Sequence, residues 1–89
     1  MDKIIIIANP VRFGKITVCK DGNVKEVVTA MPKDLAGVAL NLAKSYNISC
    51  IDIAGPKNFT EHIGKQLNDN SKTMFKKKIP LSIEYIKGV

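Results

Sequence analysis

The sequence predicts a mixed α/β fold of the α+β kind, a five-stranded sheet of order 3-2-1-4-5 carrying two helices. Three observations predict it. The run Lys3-Ile4-Ile5-Ile6-Ile7-Ala8-Asn9-Pro10 sets four consecutive isoleucines before an Asn-Pro stop. An unbroken β-branched run this short reads as a central strand buried on both sides, for which the rest of the chain supplies two covering layers. Asp21-Gly22 is the strongest short hairpin signal, because a two-residue primed turn needs positive φ at both positions. Mid-chain, Leu35, Val38, Ala39, Leu42 and Tyr46 recur at helical spacing, the mark of an amphipathic helix.

The first strand leaves into Asn9-Pro10-Val11-Arg12-Phe13-Gly14, which has a proline, a glycine and no period and reads as a hairpin connection. In the second strand, Lys15 to Lys20, Ile16 and Val18 share one face and Thr17 and Cys19 the other. Asn23 to Thr29 follows as a third strand with Val24, Val27 and Val28 as its apolar members, which completes an antiparallel meander. Pro32 preorganises the first turn of the helix and Asp34 puts a carboxylate near its positive end. Ala36, Leu40 and Ala43 widen the apolar stripe, so this helix is packed over much of its circumference, and Asn47 can take the left-handed conformation that ends it.

A fourth strand runs from Ile48 to Ala54, with Ile48, Cys50, Asp52 and Ala54 alternating with Ser49, Ile51 and Ile53. Gly55-Pro56-Lys57 turns it into a second helix with Asn58 as cap, Glu61 at the capping-box distance, and Phe59, Ile63 and Leu67 as its buried stripe. Asn68-Asp69-Asn70-Ser71 is expected to fray or break that helix, with a further turn at Thr73, Met74 and Phe75. Lys76-Lys77-Lys78 then leads to a last strand, Ile79 to Lys87, in which Pro80 fits an edge position. Right-handed crossovers put the fourth strand parallel beside the first and the fifth outside it.

Composition sets the bounds. The 89 residues make one domain, 1–89, and a chain this small buries only roughly 60–65% of its unfolded surface. With 45% hydrophobic and 25% charged residues the chain is expected to be globular rather than disordered. No apolar stretch approaches the ~18 residues of a membrane span. The isoleucine run is too short for a secretory signal and has no small-residue cleavage site, so it belongs to the fold, and the cytoplasm is the expected compartment. Cys19 and Cys50 read as buried free thiols rather than a disulfide. His62 is the only histidine and has no carboxylate cluster around it, so neither a metal site nor a cofactor is expected. Beside Glu61 and off the helix stripe, His62 reads as a surface residue.

A net charge of +6 and a pI near 9.5 favour anionic partners, nucleic acid above all. Thirteen of the fourteen cationic residues are lysine. Lysine is a solvated point charge that suits phosphate contact, whereas reading base edges bidentately favours arginine.

The element order, together with Asp21-Gly22-Asn23 and Gly55-Pro56-Lys57, resembles the ribonuclease-H-like fold, and more closely its shortened version in certain ribosomal proteins. The resemblance covers essentially the whole chain and is one of topology. Nucleases of that fold hold two divalent metals with carboxylates from the first strand, the fourth strand and helices. This chain has no acid on the first strand, Asn9 at its end, Asp34 in the first helical turn and Asp52 alone on the fourth strand. One carboxylate does not hold a two-metal site, so the chain is not expected to be a nuclease of this type. Actin-like and sugar-kinase relatives bind ATP phosphates on an Asp-Gly-Gly type loop in the first hairpin. The stretch Asn9 to Gly14 has one glycine and no acid, so ATP is not expected either.

In this topology one rim of the sheet gathers Asn9, Arg12, Phe13, Lys15, Lys33 and Lys57 with the start of the second helix. The group reads either as a phosphate site or as solvated loop lysines. Arg12-Phe13 is the only Arg-aromatic pair in a loop. Phe13 is expected to fold under the hairpin into the core, the alternative being an exposed ring that stacks on an unpaired base. At the opposite rim Lys76, Lys77 and Lys78, near Lys20, Lys44 and Lys72, read as a second phosphate-tracking patch or as a guard against aggregation of the last strand. Asp52 is expected to be hydrogen-bonded near its strand end or partly exposed.

The sequence therefore predicts a non-catalytic domain that binds nucleic acid, DNA or RNA, through Arg12, Phe13, Lys15, Lys33, Lys57, Lys76, Lys77 and Lys78. The alternative is a protein-interaction module, either a self-assembling subunit or an inhibitor of an acidic partner protein. Homo-oligomers would pair through an edge strand, although Lys25 and Glu26 on the third strand and Pro80 and Glu84 on the fifth guard those edges. An enzymatic reading has Asn9, Asp52 and Arg12 as its candidates.

Overall fold

The computed structural model describes residues 2–74 and 82–87. Its elements are β1 (Lys3–Ile7), β2 (Gly14–Lys20), β3 (Asn23–Ala30), a 3-10 turn (Pro32–Asp34), α1 (Leu35–Tyr46), β4 (Cys50–Gly55), α2 (Lys57–Met74) and β5 (Ser82–Lys87). The strands form one five-stranded sheet in the order β3-β2-β1-β4-β5. β1, β2 and β3 pair antiparallel in sequence, and β1-β4 and β4-β5 pair parallel. This is the mixed sheet with two helices that the sequence predicts.

Local chemistry sets the turns. Asp21 and Gly22 take positive φ, 55° and 76°, as a primed hairpin turn requires. Asn47 ends α1 at φ 56°, ψ 49°, with its N–H directed at the Ala43 and Lys44 carbonyls. Ile48 then donates its N–H to Ala43 O at 2.8 Å, so the chain is still closing the helix there and β4 begins only at Cys50.

The sheet register builds the core. Ile4 and Ile6 stand opposite Val18 and Ile16 on β2 and beside Ile51 and Ile53 on β4, and all six are fully buried. Leu35, Ala39 and Leu40 from α1 and Ile63 and Leu67 from α2 close over them in one cluster. Each large side chain so buried contributes roughly 1.5–3 kcal/mol, which makes this layer the main source of stability.

Four expectations are corrected. The isoleucine strand is covered on one side only. Both helices pack on each other and on the Ile4/Ile6 side, while on the opposite face Ile5 is half-buried and Ile7 is 51% exposed. Two right-handed crossovers that step the same way across a sheet deliver both helices to the same side. The registers place Val24 and Val27 of β3 on that helix-free face, opposite Cys19 and Thr17, and both are exposed. Second, α2 does not break at Asn68-Asp69-Asn70-Ser71 but runs unbroken from Lys57 to Met74. Burial of Ile63 and Leu67 outweighs the weak helix preference of the polar run. Phe75 lies outside the described residues. Third, Asn58 is not the cap, because α2 already begins at Lys57. Thr60 closes the first turn, donating its N–H to Pro56 O and its Oγ1 hydroxyl to Lys57 O, each at 2.9 Å.

Fourth, the free thiols Cys19 and Cys50 are half-buried rather than buried. They sit on β2 and β4 with β1 between them, and two inter-strand spacings of about 4.8 Å hold them beyond disulfide reach. β5 is described from Ser82 onward, so Ile79 and Pro80 fall outside the described residues. No described helix is long and apolar enough to cross a membrane.

Candidate nucleic-acid interface

β1, β3 and β4 run parallel to one another, so their C-terminal ends open at one rim. The β1–β2 loop crosses that rim and is braced at both ends. Ala8 donates its N–H to Ala54 O at 2.7 Å, which ties the loop entry to β4. Asn9 Oδ1 then accepts the N–H groups of Val11 at 3.0 Å and Arg12 at 3.2 Å, a side-chain turn that fixes the loop. At the exit Gly14 is buried against Leu35 and the Ile7 carbonyl, closer than any residue with a Cβ could come.

This bracing corrects the expectation for Phe13. Gly14 takes the inward place beside Leu35, and its neighbour is left pointing outward, as alternation along a strand dictates. Phe13 is 64% exposed and Val11 82% exposed. Three shallow, open grooves meet at the Phe13 ring. One runs toward Lys15, Gly55 and Pro56. A second runs along the start of α1 past Lys33, Asp34 and Asn41. The third holds Val11, Arg12, Met31 and Pro32. Gly55 makes the first groove by letting the β4–α2 turn pass close to β1. It sits at φ +147°, and a Cβ there would stand 2.6 Å from Ala8 O.

The structure thus brings Arg12, Lys15 and Lys33 around one exposed aromatic ring. All three are exposed. Among the described residues the ion pairs are Lys3 with Asp52 at 3.1 Å and Lys20 with Asp2 at 3.7 Å, so none of the rim cations is ion-paired with a described carboxylate. Asp34 is the one acid lining these grooves. Lys57 is exposed on the first turn of α2, next to Pro56, but lines none of the three. Lys76, Lys77 and Lys78 lie outside the described residues. Lys20, at the other rim, is occupied: it donates to Tyr46 O at 2.5 Å and pairs with Asp2, whose Oδ1 accepts the Asp21 N–H at 3.0 Å.

Of the residues considered for chemistry, Asn9 and Arg12 share the β1–β2 loop, while Asp52 is placed apart from them in the sheet. Asp52 sits mid-sheet beside Ile5, only 7% exposed, with the Lys3 ammonium on it. The Asp52 hydrogen bond first, and its charge second, hold the Lys3 pKa above the ordinary lysine value. Asn9 spends its side-chain oxygen on the loop backbone. Among the described residues there is no group of three or more His, Cys, Asp or Glu side chains that could hold a metal ion. Sequence reasoning missed Val11 and Met31 as members of the rim, although Met31-Pro32, between a strand and a helix, carried a signal. No protein family and no curated protein matches the chain.

Proposed function

We propose that the protein is a small non-catalytic nucleic-acid-binding domain that contacts phosphates through Arg12, Lys15, Lys33 and Lys57, with Lys76, Lys77 and Lys78 adding to the attraction. One observation carries the reading: three unpaired cations ring an exposed aromatic on a braced loop. Phosphate contacts of this kind position a nucleic acid without reading its sequence. The net charge of +6 adds steering toward the polyanion. The strand order and mixed pairing support a ribonuclease-H-like topology for the scaffold, and two free thiols suit the reducing cytoplasm.

The test is fluorescence anisotropy with labelled DNA and RNA over a salt series. Binding that strengthens as salt is lowered and weakens on Arg12→Ala, Lys15→Ala or Lys33→Ala supports the reading. Absence of binding at ~100 mM salt overturns it. A second reading, a self-assembling protein-interaction module, is favoured by a separate observation, the helix-free sheet face on which Ile7, Val24 and Val27 are exposed. Light scattering decides that one: a dimer that Val27→Asp dissolves supports it, and a monomer at every concentration rejects it.

A further inference from the structure

We infer that the nucleic acid taken by this rim is single-stranded, with an unpaired base stacked on the Phe13 ring; the inference rests on the nucleic-acid reading above. A duplex keeps its base faces inside the stack and presents phosphates outward, so it has no use for an exposed phenyl ring. A single strand offers a π-face at every nucleotide, and an aromatic platform in a cationic groove is the arrangement that binds it without sequence preference.

Three features of the rim fit that ligand. The ring is offered to solvent at 64% exposure by a loop pinned through Asn9 Oδ1, the Ala8–Ala54 hydrogen bond and the Gly14 contact, so little ordering remains to be done on binding. The grooves leave Phe13 in different directions, toward Lys15 and toward Lys33, with Arg12 in the third. Phosphates on either side of a stacked base therefore each meet a cation. Val11 and Met31 add exposed apolar surface that suits sugar and base edges, beside the polar Asp34 and Asn41 of the second groove. An apolar peptide would gain from the same ring, but the Arg12, Lys15 and Lys33 charges match a polyanion.

The experiment compares three labelled probes of equal length on the full chain: a single-stranded oligonucleotide, the same strand with abasic sites, and the duplex. The base-bearing single strand is expected to bind about 5- to 150-fold more tightly than the abasic strand. Phe13→Ala is expected to erase that difference and leave the abasic and duplex affinities unchanged. Its urea midpoint is expected to match the parent chain, because the ring is outside the core. Because the chain has no tryptophan, Phe13→Trp installs a single reporter whose emission should be quenched on stacking while affinity is kept. Equal binding of base-bearing and abasic strands, or an inert Phe13→Ala beside a damaging Lys33→Ala, overturns the stacked single strand and leaves the phosphate reading standing. No binding to any probe overturns both. Self-association that Phe13→Ala abolishes assigns the ring to a protein contact and also overturns the inference.

Discussion

At Gly14 a methyl group has nowhere to go. A Cβ there would stand 2.7 Å from Leu35 Cδ2 and 2.9 Å from the Ile7 carbonyl oxygen. The leucine can turn away, but the carbonyl belongs to β1 and cannot. Gly14→Ala is therefore expected to destabilise the fold by about 1–3 kcal/mol in urea unfolding, the usual toll of overpacking. Unchanged stability would mean that the loop base is looser than its contacts imply. The Lys3–Asp52 pair makes a prediction of a different kind. The folded state raises the Lys3 pKa above 10.5 through the Asp52 hydrogen bond and charge. The Tyr46 hydroxyl donates to Glu26 Oε2 at 3.1 Å, and this bond, then burial and the carboxylate charge, raise the tyrosine above 10.0. A raised folded pKa gives stability that is fully present below the unfolded value and lost as pH rises through the folded one. Unfolding midpoints are thus expected to hold near neutrality and fall in the alkaline range above about pH 10. Lys3→Met and Tyr46→Phe should each flatten that fall, and Lys3→Met should also lower stability at pH 7 by stranding a buried carboxylate. An unaltered alkaline slope in both variants would refute the assignment.

Among the elements, α1 shows how directly one residue type can end a helix. Asn47 holds the left-handed conformation at φ 56°, ψ 49°, which costs other L-residues about 1–2 kcal/mol. Asn47→Ala is expected to lose about 1 kcal/mol and Asn47→Gly to lose nothing, in thermal or urea unfolding. Such signals made the element order legible: Asp21-Gly22 for the hairpin, Pro32 and Asn47 for the ends of α1, and Gly55-Pro56 for the turn into α2. Other features depended on partners distant in sequence. Four isoleucines in a row record strand preference and one buried face, and they read the same whether or not a second layer covers Ile5 and Ile7. The polar run at Asn68 to Ser71 looks like a helix end until Ile63 and Leu67 are seen anchoring α2 in the core. At the rim, Arg12, Lys15 and Lys33 were legible as a group from topology alone, whereas Lys57, expected with them, lines none of the grooves. The outward turn of Phe13 was not, because it follows from the tight seat of Gly14 on Leu35.

Across the whole molecule, Arg12, Lys15 and Lys33, which have no ion pair among the described residues, gather at one rim together with the exposed apolar Val11, Phe13 and Met31. The helix-free face carries an internally paired Lys3–Asp52 and exposed valines, and at its rim end the register sets Lys15 opposite Ile7. The rim concentrates cations that form no ion pair with a described carboxylate, Asp34 beside Lys33 being the one acid in its grooves. If the rim is the interface, the salt dependence of binding counts its phosphates. Each phosphate neutralised on a single strand adds about −0.7 to the slope of log affinity against log salt. Arg12, Lys15 and Lys33 acting together give a slope of about −2, and Lys57 as a fourth contact brings it to about −3. Lys15→Ala is expected to make the slope shallower by about 0.7 while leaving base preference as it was, because a lost phosphate contact weakens all sequences alike. Phe13→Ala is expected to do the opposite, lowering affinity at every salt concentration with the slope unchanged. A slope near zero would place the contact away from these cations, and a slope far steeper than −3 would require cations beyond this rim, with Lys76, Lys77 and Lys78 the first to neutralise.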